Sequence, residues 1–206
     1  GFPPIIRARV LSKILREKEA VNFIANFDLI SGGSNELLSK LLSGRLDFSL
    51  IGSVAPLVHP NLTVQALDQR EFYIFASQDN PLSQKSEISF EEALDYPFIL
   101  LEESFVHAKA FQNLKDKYQK DAKVLLHFSD VQTIGQLVKS NIGITLMTDF
   151  LPFRDMENLV KIPLAAKDKE IFYVQYAYLK TAVLNEDLQQ LVAMLDKLAK
   201  VEDTLR

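Results

Sequence analysis

Polar side chains stand at the start of a helix that the sequence predicts directly after a glycine turn. Gly32 and Gly33 permit a tight turn, and Ser34 or Asn35 can cap the helix that follows. Leucines at helical spacing then form one apolar stripe, and Gly44 is placed to end the helix in a left-handed conformation. The first turn of such a helix carries free backbone N–H groups at the positive end of the helix dipole. The chemistry predicted here is therefore the binding of an anion.

The same pattern also has a purely structural explanation, in which the segment is an ordinary packing element without a ligand. Ser34 and Ser104 are good helix caps whether or not a ligand is present. Of the histidines, His59 is expected in a loop and His127 in an apolar strand. His107 is either a solvated residue of a first helical turn or a cationic or donor partner for a ligand. Both explanations stay open at this point.

The composition is that of an ordinary globular protein, with 206 residues, 48% hydrophobic and 24% charged. The net charge of −4 argues against binding of nucleic acid or an anionic membrane by this chain itself. The absence of cysteine excludes disulfides, cysteine-ligated zinc and thiol catalysis. The sequence has no apolar run of membrane-spanning length and no signal-peptide pattern, so a cytoplasmic location is expected. Because it begins with Gly1 rather than Met, we expect a piece of a longer protein.

Helix and strand patterns alternate along the chain, which predicts an α/β architecture rich in parallel strands. Helices are expected at residues 6–18, 37–43, 90–94, 105–119, 132–140 and from a cap at Asn185 onward. Strands are expected at residues 21–30, 46–51, 62–67, 72–77, 98–101, 124–128, 144–147, 159–162 and 171–179. Residues 41–50 and 137–146 both read as helix end, turn and buried strand, as two similar lobes would produce.

Four short motifs occur in an order and spacing that resemble a known family. They are Gly33-Ser34 before a leucine-rich helix, residues 42–50 with the sequence LSGRLDFSL, the turn Asn80-Pro81-Leu82, and residues 137–147. In the last of these, Ser140-Asn141 stands where the family has Ala-Gly. Over essentially its full length, the chain resembles the effector-binding domain of LysR-type transcriptional regulators.

The resemblance implies two Rossmann-like lobes joined by two crossover strands, a type 2 fold similar to periplasmic binding proteins. Lobe I would comprise residues 1–75 and 178–206, and lobe II residues 76–177. It also implies an N-terminal winged helix-turn-helix domain that this piece lacks and through which DNA would be bound. A homodimer is implied for the domain and a tetramer for the full-length protein, with no cofactor and no contact with a membrane. The helix at residues 6–18 and the strand after Asp47 would contribute to the dimer.

The resemblance further places a small-molecule effector in the cleft between the lobes, and two opposed helix N-termini there suit a small carboxylate or other anion. Residues 2–6 and 102–107 resemble one subgroup of the family, for which L-malate would be the effector. The family's cleft positions correspond here to Pro4, Ile5, Ser34, Asn35, Ser53, Ser104, Phe105, Val106, His107, Asp130, Val131 and Thr133. No catalytic residue and no metal ligand is predicted.

Two other classes of function are compatible with the same architecture. A solute-binding protein of a transporter shares the predicted fold, although no signal peptide or lipobox cysteine is present. An α/β enzyme is the second alternative, because 27 acidic residues offer many possible acid–base pairs. The common nucleotide-binding, nucleophile-elbow and zinc-protease motifs are all absent from the sequence. We therefore expect a sensing domain rather than an enzyme.

Overall fold

The computed structural model describes residues 1–14, 23–149 and 157–204 and divides the chain into two compact units. The first unit comprises Gly1–Gln69 and Tyr173–Arg206, and the second comprises Arg70–Phe172. The chain passes from one unit to the other within two long strands, β2 (Leu62–Ser77) and β7 (Ile171–Leu179).

The first unit packs helices around a sheet formed by β1 and β7. Its elements are α1 (Pro4–Ile14), α2 (Ser34–Leu42), β1 (Ser49–Ser53), the start of β2, the end of β7 and α6 (Glu186–Thr204). β1 pairs antiparallel with β7, with Ser49 opposite Ala177. The Gly1 carbonyl accepts a hydrogen bond from the Leu50 N–H, at 2.9 Å. A parallel bridge joins Phe2 to Ser31.

The leucine stripe of α2 explains how this helix is fixed in the first unit. Leu37 and Leu41 are fully buried in a cluster with Leu46, Ile51, Leu62 and Ala177. Gly44 follows the helix with a φ of +70°, a left-handed conformation that glycine adopts without steric cost. The predicted helix, glycine turn and buried strand are therefore present.

Among its described residues, the second unit contains one parallel strand pair and two antiparallel pairs. Its elements are a 3₁₀ turn (Pro81–Gln84), α3 (Phe90–Ala93), β3 (Phe98–Leu101), α4 (Val106–Tyr118), β4 (Val124–Phe128), α5 (Val131–Lys139), β5 (Thr145–Thr148), β6 (Leu159–Pro163) and a second 3₁₀ turn (Ala166–Asp168). β3 and β4 are parallel, whereas β2 pairs antiparallel with both β5 and β6.

The prediction of a strand at residues 21–30 is wrong for the part that the structure describes. Phe23 and Ile24 are helical and lead into a turn, with hydrogen bonds from Asn26 N to Phe23 O and from Phe27 N to Ile24 O. The rings of Phe23 and Phe27 pack edge to face, 5.2 Å apart. Such contacts four residues apart are typical of a helical turn, and they override the alternating pattern that suggested a strand.

Other boundaries also differ from the predictions. The helix expected at residues 6–18 is α1, and its predicted last turn lies outside the described residues. The two strands predicted between residues 62 and 77 form the single strand β2. The pairing is mixed rather than mainly parallel, because β7 and β2 each take antiparallel partners. The strand expected at the dimer interface is β1, an edge strand that pairs with β7, and its part in a dimer stays a prediction.

Within the described ranges, no helix is long and apolar enough to cross a bilayer. In the same ranges, no group of three or more histidine, aspartate or glutamate side chains is arranged to hold a metal ion.

Candidate functional site

The first turn of α2 is built differently from the capped turn that the sequence suggests. Gly33 occupies the N-cap position, in extended conformation and without a side-chain hydrogen bond. Ser34 is the first helical residue and is only 4% exposed, and its Oγ accepts a hydrogen bond from the Gly52 N–H at 2.9 Å. Asn35 is exposed. The prediction that Ser34 or Asn35 caps the helix is therefore wrong, because the Ser34 hydroxyl instead holds the end of β1.

Ser53 belongs to the same corner of the first unit, since it follows Gly52 directly. Its Oγ accepts a hydrogen bond from Gln175 Nε2 at 2.8 Å, and Gln175 Oε1 accepts one from the Leu57 N–H at 2.8 Å. The structure thus brings Ser34 and Ser53 together at the end of β1. Gln175 had no sequence signal as a residue of this corner, because its role depends on β7 pairing with β1.

Pro4 and Ile5 form the first turn of α1. Pro4 is the first residue of the helix, where proline is favoured because its missing N–H has no intrahelical partner to lose. Ile5 is buried and Pro4 is half-buried. The parallel bridge between Phe2 and Ser31 places the residues just before α1 beside the residues just before α2.

The first turn of α4 also lacks a side-chain cap. Its N-cap is Phe105, which makes no capping hydrogen bond, so the prediction of a cap at Ser104 is wrong. Ser104 is exposed, Phe105 is half-buried and Val106 is buried. The turn before the helix is closed instead by a hydrogen bond from the Phe105 N–H to the Glu102 carbonyl, at 3.0 Å.

His107 follows in the same turn and is neither solvated nor cationic. It is 3% exposed, and burial lowers the pKa of its imidazole to about 3. The side chain is therefore neutral at physiological pH, and only one ring nitrogen carries a proton to donate. Its Nε2 lies 3.5 Å from Thr148 Oγ1. Thr148 had no sequence signal, because only the fold places β5 beside α4.

The first turn of α5 is capped by Asp130. The Asp130 carboxylate accepts a hydrogen bond from the Thr133 N–H at 2.9 Å, and its pKa is lowered because hydrogen bonds from Thr133 stabilise the charged form. Asp130 is exposed, while Val131 and Thr133 are half-buried. The negative charge at this helix N-terminus is therefore supplied by the chain itself.

The parallel pairing of β3 and β4 places the starts of α4 and α5 at one edge of the second unit. The Glu102 N–H, just beyond β3, donates to the Phe128 carbonyl at the end of β4, at 3.1 Å. Residues 104–107 and 130–133 therefore follow the carboxyl ends of neighbouring strands, where ligands of α/β proteins commonly bind.

The helices differ in whether a side chain accepts a hydrogen bond from the N–H groups of their first turn. In the described structure, α2 and α4 begin without a side-chain cap, while α5 is capped by a carboxylate. Uncapped first-turn N–H groups at the positive end of a helix dipole favour an anionic ligand. The chemistry that α2 and α4 can perform is therefore the binding of a carboxylate or a similar anion.

A cavity of about 320 Å³ lies elsewhere in the first unit. Among the described residues that line it are Asp28, Asp47 and Asp187, but none of the predicted effector residues. Three carboxylates near one cavity disfavour an anionic ligand by like-charge repulsion. This cavity therefore lacks the chemistry of an anion site.

Comparison with known sequences agrees with this architecture. The model of a family described as "LysR substrate binding domain" matches residues 1–200. The malolactic fermentation system transcriptional activator of Lactococcus lactis subsp. lactis (strain IL1403) is 42% identical over 198 residues, which cover 96% of this chain and 67% of that protein.

Two solved structures have a similar fold at low sequence identity. The effector-binding domain of QuiR in complex with shikimate is 16% identical with a TM-score of 0.75, over 97% of this chain and 92% of that one. The regulatory domain of Synechocystis PCC6803 CcmR in complex with 2-PG is 19% identical with a TM-score of 0.78, over 97% and 95% of the two chains.

Proposed function

The chain belongs to the LysR substrate-binding domain family, and we propose that its effector is a small carboxylate, with L-malate as the first candidate. The α/β, type 2 periplasmic-binding-protein-like fold predicted from the sequence is confirmed by the family match and the structural neighbours. The chain is accordingly the effector-binding domain of a LysR-type transcriptional regulator.

The observation that carries the proposal is the absence of a side-chain cap at the first turns of α2 and α4. Ser34 lies in the first of these turns, and Phe105 and His107 lie at the second. We place the effector at these two turns, with backbone N–H groups as donors to its carboxylates and with the buried His107 side chain packed behind the second turn rather than in contact with the effector. The relative's role in malolactic fermentation and the shikimate complex of a neighbour both support a carboxylate.

The wider organisation is part of the same proposal. We assign residues 1–75 and 178–206 to lobe I and residues 76–177 to lobe II, with a winged helix-turn-helix domain preceding them in the whole regulator. The matched relative is longer than this chain, since the alignment covers 67% of it. DNA would be bound by that preceding domain, because the net charge of −4 on this chain disfavours contact with phosphates. We further propose a cytoplasmic, non-catalytic regulator that is tetrameric at full length.

Thermal unfolding with L-malate tests the effector assignment. A ligand that binds only the native state adds about 2.7 kcal/mol at 100 times its Kd, which raises the melting temperature of a chain of this size by about 5–11 °C. The matched control is malamide, in which both carboxylates of malate are neutral amides, and we expect no shift from it. If no carboxylate in a broad panel raises the melting temperature, the anion-binding proposal is wrong.

We also propose that the domain forms a homodimer through exposed apolar side chains. Leu29, Ile30 and Leu42 are exposed in the first unit, and Leu125, Leu126 and Ile142 are exposed in the second. Exposed clusters of large apolar side chains commonly mark protein–protein contacts.

Sedimentation at tens of micromolar tests the dimer, since a Kd of about 1 μM corresponds to −8.2 kcal/mol. We expect a dimer for the unaltered domain and a monomer for Leu126→Lys. Val58→Lys is the matched control, because Val58 is the more exposed residue, at 88%, and is not one of the six residues proposed for the dimer. A strict monomer in the unaltered domain, or equal loss of dimer in both variants, would contradict the proposal.

A further inference from the structure

The imidazole of His107 packs into a cluster of three aromatic rings within the second unit. Its centroid lies 5.3 Å from that of Phe72 and 5.3 Å from that of Phe172. The rings of Phe72 and Phe172 are perpendicular to each other, with centroids 6.0 Å apart. All three side chains are buried. We refer to His107, Phe72 and Phe172 as the ring cluster.

The ring cluster contacts both strands that carry the chain between the two units. Phe72 lies in β2, close to the boundary between Gln69 and Arg70, and Phe172 is the last residue of the second unit in β7. The Phe72 N–H donates to the carbonyl of Glu170, the residue directly before β7, at 3.2 Å, so a hydrogen bond joins β2 to the start of β7. The third ring belongs to α4, in the helical turn where we place the effector.

The contacts of His107 are those of a packed ring rather than of a charge. Thr148 Oγ1, at 3.5 Å from Nε2, is the polar group that faces it from β5. Phe72 meets both His107 and Phe172 edge to face, whereas the rings of His107 and Phe172 are tilted by 42°. Packed side chains transmit strain because the protein interior has low compressibility. A movement of the first turn of α4 would therefore displace the rings on β2 and β7.

We propose that His107 is a positioning residue that couples the effector-binding turn of α4 to the two strands joining the units. The inference rests on the proposed function, because it takes the effector to bind at this turn. In this mechanism the effector contacts the backbone at the start of α4, and His107 carries the resulting displacement to Phe72 and Phe172. His107 then affects the conformational change that the effector causes in β2 and β7 more than it affects the affinity for the effector.

The first test needs no ligand and compares amide hydrogen exchange in three variants. His107→Ala removes the ring, His107→Phe keeps an aromatic ring of similar shape, and Phe111→Leu is the control. Phe111 lies one turn further along α4 and packs on Phe98 and Phe90, with ring centroids 4.9 Å and 5.5 Å apart. It is thus a buried aromatic residue of the same helix outside the ring cluster.

We expect His107→Ala to increase exchange by about tenfold in residues 70–74 and 170–174, as loss of a coupling free energy of ordinary size would do. His107→Phe should restore most of the protection, and Phe111→Leu should leave these two segments unchanged relative to the rest of the unit. Unchanged protection in His107→Ala, or an equal loss in Phe111→Leu, overturns the proposal. If His107→Ala does not fold, Phe172→Leu replaces it with the same expectations.

The second test measures the response to L-malate by calorimetry and by exchange in the same segments. We expect His107→Ala to bind L-malate within about threefold of the unaltered affinity and to lose the malate-induced change in exchange. A loss of affinity above about tenfold in both His107→Ala and His107→Phe would identify a direct ligand contact and overturn the positioning role. If L-malate does not bind the unaltered domain, the effector assignment fails while the ligand-free test still decides the coupling.

Discussion

The first turns of α2 and α5 differ, although the two helices end alike and lead into similar strands. Each helix follows a short polar turn and leads through a left-handed residue, Gly44 or Asn141, into a buried strand. In α5 the Asp130 carboxylate satisfies the first turn. In α2 the N-cap is a glycine, and the Ser34 hydroxyl accepts a hydrogen bond from another strand. One helix N-terminus is thus capped by a side chain, whereas the serine at the start of the other bonds to a distant strand.

This difference shows why a serine at a helix start does not by itself identify a cap. A cap bonds to its own helix, and its loss costs the local helix about 1 kcal/mol. A buried hydroxyl that accepts a backbone N–H from another element is a tertiary contact, and its loss leaves a buried donor without a partner. The same substitution therefore changes stability differently at a local cap and at a tertiary contact. Four predictions test this difference.

The largest effect is expected where an uncapped helix start is converted into a capped one. Phe105→Asp would place a carboxylate at the N-cap of α4, as Asp130 does in α5. Because that carboxylate would occupy the N–H groups proposed to bind the effector, we expect the L-malate-induced rise of about 5–11 °C to disappear. Phe105→Asn, a cap without charge, should reduce the rise less. An undiminished rise in Phe105→Asp would exclude the first turn of α4 from the effector site.

The next effect concerns Ser34 in the absence of any ligand. Ser34→Ala removes the acceptor of the buried Gly52 N–H, which should cost about 1–3 kcal/mol. For a chain of this size the melting temperature should fall by about 2–4 °C for each kcal/mol. The deciding control is Ser34→Gly. At a cap, glycine costs only a few tenths of a kcal/mol. Here Ser34→Gly should be destabilised at least as much as Ser34→Ala, and a nearly unaltered glycine variant would contradict the tertiary contact.

A smaller loss is expected from Asp130→Ala, which removes a local cap. The cost should be about 1 kcal/mol, or a fall of about 2–4 °C in the melting temperature. The L-malate-induced rise should keep its full size, because the ligand is proposed at α2 and α4. Calorimetric melting with and without L-malate measures both quantities. A diminished rise would place Asp130 at the effector site instead.

The smallest effect is the pH dependence that Asp130 contributes. Its pKa is lower in the folded protein than in the unfolded chain, because hydrogen bonds from Thr133 stabilise the carboxylate. The unfolded chain therefore binds the proton first, and the stabilisation is present above the unfolded pKa of about 3.9 and is lost as the pH falls through the lower folded value. Asp130→Asn should keep the cap and flatten the decline between about pH 5 and pH 3. Identical profiles for the two proteins would rule out this contribution.

The sequence by itself determined the fold class and the local elements that depend on neighbours in the chain. The leucine stripe of α2 and the left-handed Gly44 were predicted, because helical spacing and backbone conformation depend on residues only a few positions apart. The cap at Asn185 was predicted for the same reason and is confirmed by its hydrogen bond with the Leu188 N–H. Interactions between residues a few positions apart depend on the types of those residues, and sequence patterns therefore reveal them.

The tertiary structure decided the contacts whose partners are far apart in the chain. Ser34 and Gly52 are 18 residues apart, and His107 and Thr148 are 41 residues apart. No local pattern distinguishes a serine that caps its own helix from one that holds a distant strand. Likewise, the burial that keeps His107 neutral comes from Phe72 and Phe172 on two long strands, which only the fold brings beside α4. Desolvation depends on the packing of the whole unit, and for this reason the charge state of this histidine was not predictable from its neighbours in the sequence.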